Sequence, residues 1–200
     1  MGVCLWFFSF FFFLSTATSA ETPREIAQTD VSSEARGVQL NARDNQRVVI
    51  DNGIVQVTLS RPDGDVTGIK YKGIDNVLET LNKDNNRGYW DVVWNTPGDP
   101  IIFDKLPATN FRIISAVEDQ VEVSFSKTWN FSVGKAVVPL NVDKRYIMRR
   151  GSSGVYLYTI LERLKGWPDV DMDQIRVVFK LQKNKYTFRT KIKKSNFISS

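Results

Sequence analysis

The segment Ile54-Val-Gln-Val-Thr-Leu-Ser60 alternates strictly: Ile54, Gln56, Thr58 and Ser60 fall on one face of an extended chain, Val55, Val57 and Leu59 on the other. A period of two lets a strand bury one face and leaves a helix with no continuous apolar stripe. Asn52-Gly53 precedes the segment and Asp63-Gly64 follows it. Both pairs tolerate the positive φ of tight turns, so a meander of strands is expected over 48–51, 54–60 and 66–71.

The same logic extends downstream. Strands are predicted at Phe111–Val117, Val121–Ser126, Lys144–Arg149, Val155–Leu161 and Ile175–Leu181, with Glu118-Asp-Gln120 and Gly151-Ser-Ser-Gly154 spaced as hairpin turns. Only Asp75–Leu81 reads as a helix, and a short one. Strands at regular intervals with no helical crossover predict an all-β fold, an antiparallel β-sandwich. No internal repeat of solenoid or propeller period is present. Two hundred residues supply one domain.

The amino terminus has a different character. Met1–Ala20 carries no charged residue and contains six of the thirteen Phe. Its apolar run, Val3–Leu14, is shorter than the roughly 20 residues of a membrane span. Small residues follow from Ser15 to Ala20, as in a signal peptide cleaved after Ala20. Residues 1–20 are therefore expected to direct secretion, with an uncleaved membrane anchor as the alternative. Residues 21–47 are polar and free of aromatics, and read as a leader or a single edge strand, with order expected from Val48. Cys4 is the sole cysteine, so the remaining chain has no disulfide to rely on in an oxidising compartment.

Charge is equally uneven. The formal net charge is +5, but Lys180, Lys183, Lys185, Arg189, Lys191, Lys193 and Lys194 face no acid after them, which leaves −2 for everything before. The basicity belongs to the end of the chain rather than to a face of the fold. Nothing resembles an RNP motif, a zinc finger or a helix-turn-helix, so nucleic acid is not an expected partner. Asn130-Phe131-Ser132 is an N-glycosylation sequon.

The chain contains no histidine. Ser-His and Cys-His catalysis and histidine-held zinc are thereby excluded for this polypeptide. No metal or other cofactor is expected, since the scattered Asp and Asn residues form no calcium loop.

Three long blocks carry a resemblance: Asp51-Asn-Gly-Ile-Val-Gln-Val-Thr-Leu-Ser60; Asn86-Arg-Gly-Tyr-Trp-Asp91 with Trp94; and Lys144-Arg-Tyr-Ile-Met-Arg-Arg-Gly-Ser-Ser-Gly154, leading to Gly166-Trp-Pro-Asp169. They resemble the plant rhamnogalacturonan lyase family over about Arg47–Arg189. The resemblance implies a secreted enzyme of the plant cell wall or apoplast. Its first domain would be a β-sandwich related to galactose mutarotases, followed in the family by a fibronectin-type-III-like domain and a jelly-roll domain that 200 residues cannot hold. Residues 48–189 would be a partial copy of the first domain and 190–200 a divergent basic tail.

The implied reaction is β-elimination between rhamnose and galacturonate in the rhamnogalacturonan I backbone of pectin. It needs a base for the uronate C5 proton, a cation or donor for the enolate-like carboxylate, and a proton for the leaving oxygen. The resemblance implies a lysine and a histidine for this work. With no histidine, the catalytic base is unassigned and activity is expected to be impaired. The alternatives are a non-catalytic carbohydrate-binding sandwich and a non-functional truncation product.

Arg145 and Arg149 share a strand face with Ile147 and are candidates to grip a galacturonate carboxylate, or are two solvated arginines. Trp90 and Trp94 are candidate sugar-stacking rings, or core. Asp91 would bind sugar hydroxyls or close a turn or edge hydrogen bond. Trp167 is expected to pack, and Glu162 and Asp171 have no defined partner.

Overall fold

The computed structural model of the chain describes residues 5–13 and 36–183. These form twelve strands and one 3-10 turn at Asp84–Asn86, with no α-helix. The strands are β1 (Leu5–Phe13), β2 (Gln39–Asn41), β3 (Arg47–Asp51), β4 (Val55–Ser60), β5 (Val66–Tyr71), β6 (Gly88–Asn95), β7 (Ile102–Lys105), β8 (Asn110–Val117), β9 (Gln120–Lys127), β10 (Asn141–Arg149), β11 (Gly154–Glu162) and β12 (Asp171–Phe179).

Three antiparallel sheets result, in the orders β1-β11-β10-β9-β8, β2-β3-β4-β5 and β12-β6-β7. All three contribute to one core. Val48 and Val57 come from the second sheet, Trp90 and Val92 from the third, and Val123, Tyr146 and Leu157 from the first. The alternation that announces β4 is realised as buried Val55, Val57 and Leu59 against half-buried Gln56, Thr58 and Ser60. In β10 the same rhythm buries Val142, Lys144, Tyr146 and Met148.

The turn at Asp63-Gly64 joins two sheets. Gly64 has φ +71°, and a Cβ there would lie 2.6 Å from Cγ of Phe125 on β9. The Tyr146 hydroxyl donates to the Gly64 carbonyl at 2.6 Å, and Lys144 Nζ donates to the Asp63 carbonyl at 2.5 Å. The hairpin expected from turn chemistry thus also seats the second sheet on the first.

Three expectations change. Residues 75–81 are not helical: Asn76 Oδ1 accepts from the amides of Ile69 and Leu78, and Val77 and Leu78, adjacent in sequence, are both fully buried. A surface helix cannot bury neighbouring residues this way, whereas an irregular crossing segment can. The ladder begins before Val48, because β2 pairs with β3, Leu40 opposite Ile50, and Val38 reaches the core. The short edge strand β7 was not foreseen, and neither was β6. Trp90 to Trp94 are all buried, so no two-residue rhythm marks it, as is usual for a strand covered on both faces.

Strand β1 lies antiparallel along β11, with Leu5 opposite Glu162 and Phe13 opposite Gly154. The cleavage point after Ala20, most of the 21–47 stretch and the 190–200 tail lie outside the described residues. None of the described helical residues forms a helix long and apolar enough to cross a membrane.

Candidate functional site

The face of the first sheet turned away from the core is polar. Register sets Arg112 (β8) opposite Ser124 (β9), Ser124 opposite Arg145 (β10), and Arg145 opposite Tyr158 (β11), one row across four strands. A second row runs Asn110, Ser126, Asp143, Ile160. Beside it Asn141 faces Glu162 and donates to its carboxylate at 3.1 Å. Asn110, Arg112, Asp143, Ile160 and Glu162 line a cleft of about 600 Å³ there, within the size range of small-molecule sites.

Arg145 sits at the centre of this face, and its fork is fully engaged. Nε and one terminal nitrogen donate to Asp143 at 2.9 and 2.8 Å, and the other terminal nitrogen to Glu122 at 2.8 Å. The Asp143 bonds, more than those to Glu122, hold its pKa above the ordinary guanidinium value against the cost of partial burial. Tyr158 Oη also donates to Glu122 at 2.9 Å, and burial first, then that bond, raise the pKa of its hydroxyl. Ser124 Oγ completes the network on Asp143 at 2.6 Å.

The two arginines singled out by the sequence do share a face, since both alternate with the buried residues of β10. Four residues separate them, roughly 13 Å along a strand, too far for both to grip one carboxylate. Arg149 is exposed. Its carbonyl is used by Asn52 and Ser152, while its guanidinium engages no described residue. Arg112 was missed. Its side chain is 61% exposed and meets Asp143 only at 3.6 Å, which leaves most of its donors open to a ligand. The turn at Glu118-Asp-Gln120 by itself would set Arg112 opposite buried Phe125; an irregularity between Ile113 and Ser115 shifts the register and puts Arg112 opposite Ser124 instead, so no signal in the sequence marked it.

Trp90 is 2% exposed and belongs to the core. Asp91 holds Arg176 of β12 through two bonds, 2.7 and 2.9 Å, so its hydrogen bonding is spent between strands. Trp94, equally buried, lines a second cleft of about 610 Å³ with Trp129 and Phe131. Trp167 packs on Trp129 with ring centroids 4.8 Å apart. Asn130 is exposed at the edge of this cluster, its side-chain oxygen accepting from the Ser132 amide at 2.8 Å. Glu162 lies on the polar cleft, and Asp171 starts β12.

One lysine is chemically unusual. Lys144 is wholly buried, and burial drives its pKa down from 10.5 to about 8, against the opposing pull of Asp65 and Asp63. Desolvation raises the pKa of buried Asp65 in turn, with Lys144 opposing. An amine with that pKa can take up a proton near neutrality. It points into the core, however, on the face opposite Arg145, and its hydrogen bond goes to a backbone carbonyl.

Residues 16–194 match the model of the rhamnogalacturonate lyase family. The chain belongs to that family. No curated protein sequence and no solved structure matches it. The all-β architecture and a pectic polysaccharide substrate in the general sense accord with this membership. Two of the blocks behind the resemblance meet in space, because Asn52 of the first bonds the Arg149 and Ser152 carbonyls of the third.

Proposed function

We propose that this member of the rhamnogalacturonate lyase family is a secreted domain that binds the rhamnogalacturonan I backbone of pectin on the polar face of β8–β11, and that β-elimination by the chain itself is severely impaired. The observation carrying this reading is the row Arg112–Ser124–Arg145–Tyr158 across four strands. Together with Asn110, Asp143 and Glu162 of the adjoining cleft it presents guanidinium, hydroxyl, amide and carboxylate groups to a chain rich in hydroxyls and carboxylates. Arg112 and Arg149 are the cations available to uronates, and the saturated Arg145 organises the acids around them. Trp94 would act at the second cleft rather than on this face, and Trp90 through packing alone.

Elimination demands a base beside the uronate C5 and a proton donor beside the leaving oxygen. No histidine exists to serve, and the amine best tuned to take a proton, on Lys144, is sealed in the core. Binding without turnover, the carbohydrate-binding reading, is favoured by this arrangement. The proposal includes a galactose-mutarotase-like ancestry of the sandwich, export to the apoplast and glycosylation at Asn130.

Two measurements test the reading. Purified chain incubated with rhamnogalacturonan should generate no ultraviolet absorbance of unsaturated uronate above a buffer control, and turnover at an ordinary enzymatic rate refutes the impairment. Acidic rhamnogalacturonan fragments should bind at low salt and dissociate at high salt, with Arg112→Ala plus Arg149→Ala weakening them roughly tenfold or more. Unchanged affinity in that double variant refutes the assignment of the face.

A further inference from the structure

The turn before β4 carries the only asparagine of the chain that glycine follows, Asn52-Gly53. In an open chain this pair is especially prone to deamidation. Glycine has no Cβ to shield its amide nitrogen, so that nitrogen can attack Cγ of the neighbouring carboxamide and close a five-membered succinimide ring. The fold holds the reactants apart. Both ends of the Asn52 carboxamide are tied: Nδ2 donates to the Arg149 and Ser152 carbonyls at 2.8 Å each, and Oδ1 accepts from the Ile54 and Val55 amides at 3.1 and 3.0 Å. Cγ cannot swing onto the Gly53 nitrogen without breaking these bonds. The nucleophile is tied as well, since the Gly53 amide donates to Asp51 Oδ1 at 2.7 Å. A carboxylate so close opposes loss of the amide proton, because two negative charges would then face each other. At 1% exposure Asn52 also meets almost no water.

Opening of the turn releases the chemistry. Gly53 gives its amide proton to water or hydroxide, and its nitrogen bonds to Cγ of Asn52. The Cγ–Nδ2 bond breaks, and the nitrogen leaves as ammonia after taking a proton from solvent. Water then opens the ring. Attack at Cγ restores the original backbone and leaves aspartate at position 52; attack at the backbone carbonyl carbon leaves isoaspartate, with the chain routed through Cγ. Neither product fits the closed turn. Aspartate brings a charge into an almost dry site and has no N–H to give, so its oxygen faces the Arg149 and Ser152 carbonyls, acceptor against acceptor. Isoaspartate adds a carbon to the backbone of a turn that sets Asp51 opposite Gln56.

We propose that Asn52 is a deamidation site which the native fold holds closed, and that its conversion is one-way because neither product can rejoin the Arg149 and Ser152 carbonyls. The same four hydrogen bonds that join the turn before β4 to the turn after β10 keep the reaction off, so each opening of that junction carries a chance of permanent loss. The working lifetime of the chain is then a rate, set by how often the turn opens. This goes beyond the reading of the polar face and stands without it, because it draws on the backbone of Arg149 and not on its guanidinium.

The test incubates the whole chain, folded and in concentrated urea, at one mildly alkaline pH, and follows the peptide containing Asn52-Gly53 by mass spectrometry after proteolysis. Deamidation shows as a gain of one mass unit, and isoaspartate is separated from aspartate by chromatography. The unfolded chain should convert at Asn52 at least roughly a hundredfold faster than the folded one. Asp51→Ala, which frees the Gly53 amide, should speed conversion of the folded chain roughly fivefold. Asp51→Asn, which keeps an acceptor and drops the charge, reads the same effect if Asp51→Ala does not fold. Chain deamidated in urea and then diluted should unfold at a lower urea midpoint than parent taken through the same cycle, and so should Asn52→Asp made directly. The proposal is overturned if folded and unfolded chains convert at the same rate, if the unfolded chain keeps Asn52 intact, or if the deamidated chain and Asn52→Asp match the midpoint of the parent.

Discussion

Asn52 Nδ2 donates to the carbonyl of Arg149, 97 residues further along, at 2.8 Å. The same amide reaches the Ser152 carbonyl at 2.8 Å, and its oxygen accepts from the amides of Ile54 and Val55. One almost wholly buried carboxamide thus ties the turn before β4 to the turn after β10. Asn52→Ala would leave two carbonyls and two amides without this partner. A loss of about 2–4 kcal/mol is expected, read in urea unfolding as a lower midpoint at unchanged slope. A loss below about 0.5 kcal/mol would show that water replaces the carboxamide freely.

Stability should rise with pH on the alkaline side because of Lys144. Folding lowers its pKa from 10.5 to about 8. The folded state therefore disfavours the ammonium fully below pH 8, and the penalty fades as pH rises from about 8 toward 10.5. The full swing is at most about 3 kcal/mol. Asp65 acts in the opposite pH range: its raised pKa means that its burial penalty fades as acid protonates it. Lys144→Met should flatten the rise between pH 8 and 10, measured by denaturant midpoints at each pH. A parent protein whose stability stays level across that window contradicts the assignment.

Arg145 and Arg149 should separate in their effects. Arg145→Ala strips Asp143 and Glu122 of their cation in a network whose side chains are 14–18% exposed. About 2–3 kcal/mol should be lost, below the full figure for a dry ion pair because some water reaches the acids. Arg149→Ala, at an exposed guanidinium, should change stability by less than about 0.5 kcal/mol. Thermal melts of the two variants side by side decide the matter, and equal shifts would contradict this division of roles.

Gly64→Ala should be among the costliest small substitutions. The new methyl meets the Phe125 ring at 2.6 Å, and φ is +71°. Strain and overpacking together should cost about 2–4 kcal/mol. Gly73→Ala is the control. It has a similar φ of +76° and open space around the new carbon, so it isolates the backbone part, and a matching loss in both variants would remove the packing argument.

Much of the fold was legible because one-sided burial writes its period into the sequence. Strands β3, β4, β5, β8, β9, β10, β11 and, four residues earlier than expected, β12 all overlap segments where alternation or turn pairs announced them. Strand β6 was silent, since a strand buried on both faces has no polar side to alternate with. The stretch 75–81 misled because adjacent apolar residues there serve an irregular segment that bridges to Leu181. For the candidate site, the shared face of Arg145 and Arg149 could be read from spacing alone. That Arg145 is occupied, that Arg112 is open and that Trp90 is core could not, because each depends on a partner strand far along the chain.

What the residues alone determined was the class of fold and the missing chemistry: a two-residue period permits strands and little else, and a polypeptide with no imidazole lacks that proton carrier however it folds. Which charges are saturated and which are free was decided only by tertiary register. Arg145 faces Asp143 on its own strand but needs β9 to deliver Glu122, and Lys144, one residue away, is turned into the core to hold a hairpin of another sheet. Neighbours in sequence point to opposite sides of a sheet, so their environments are set by different surroundings, which a linear order does not contain.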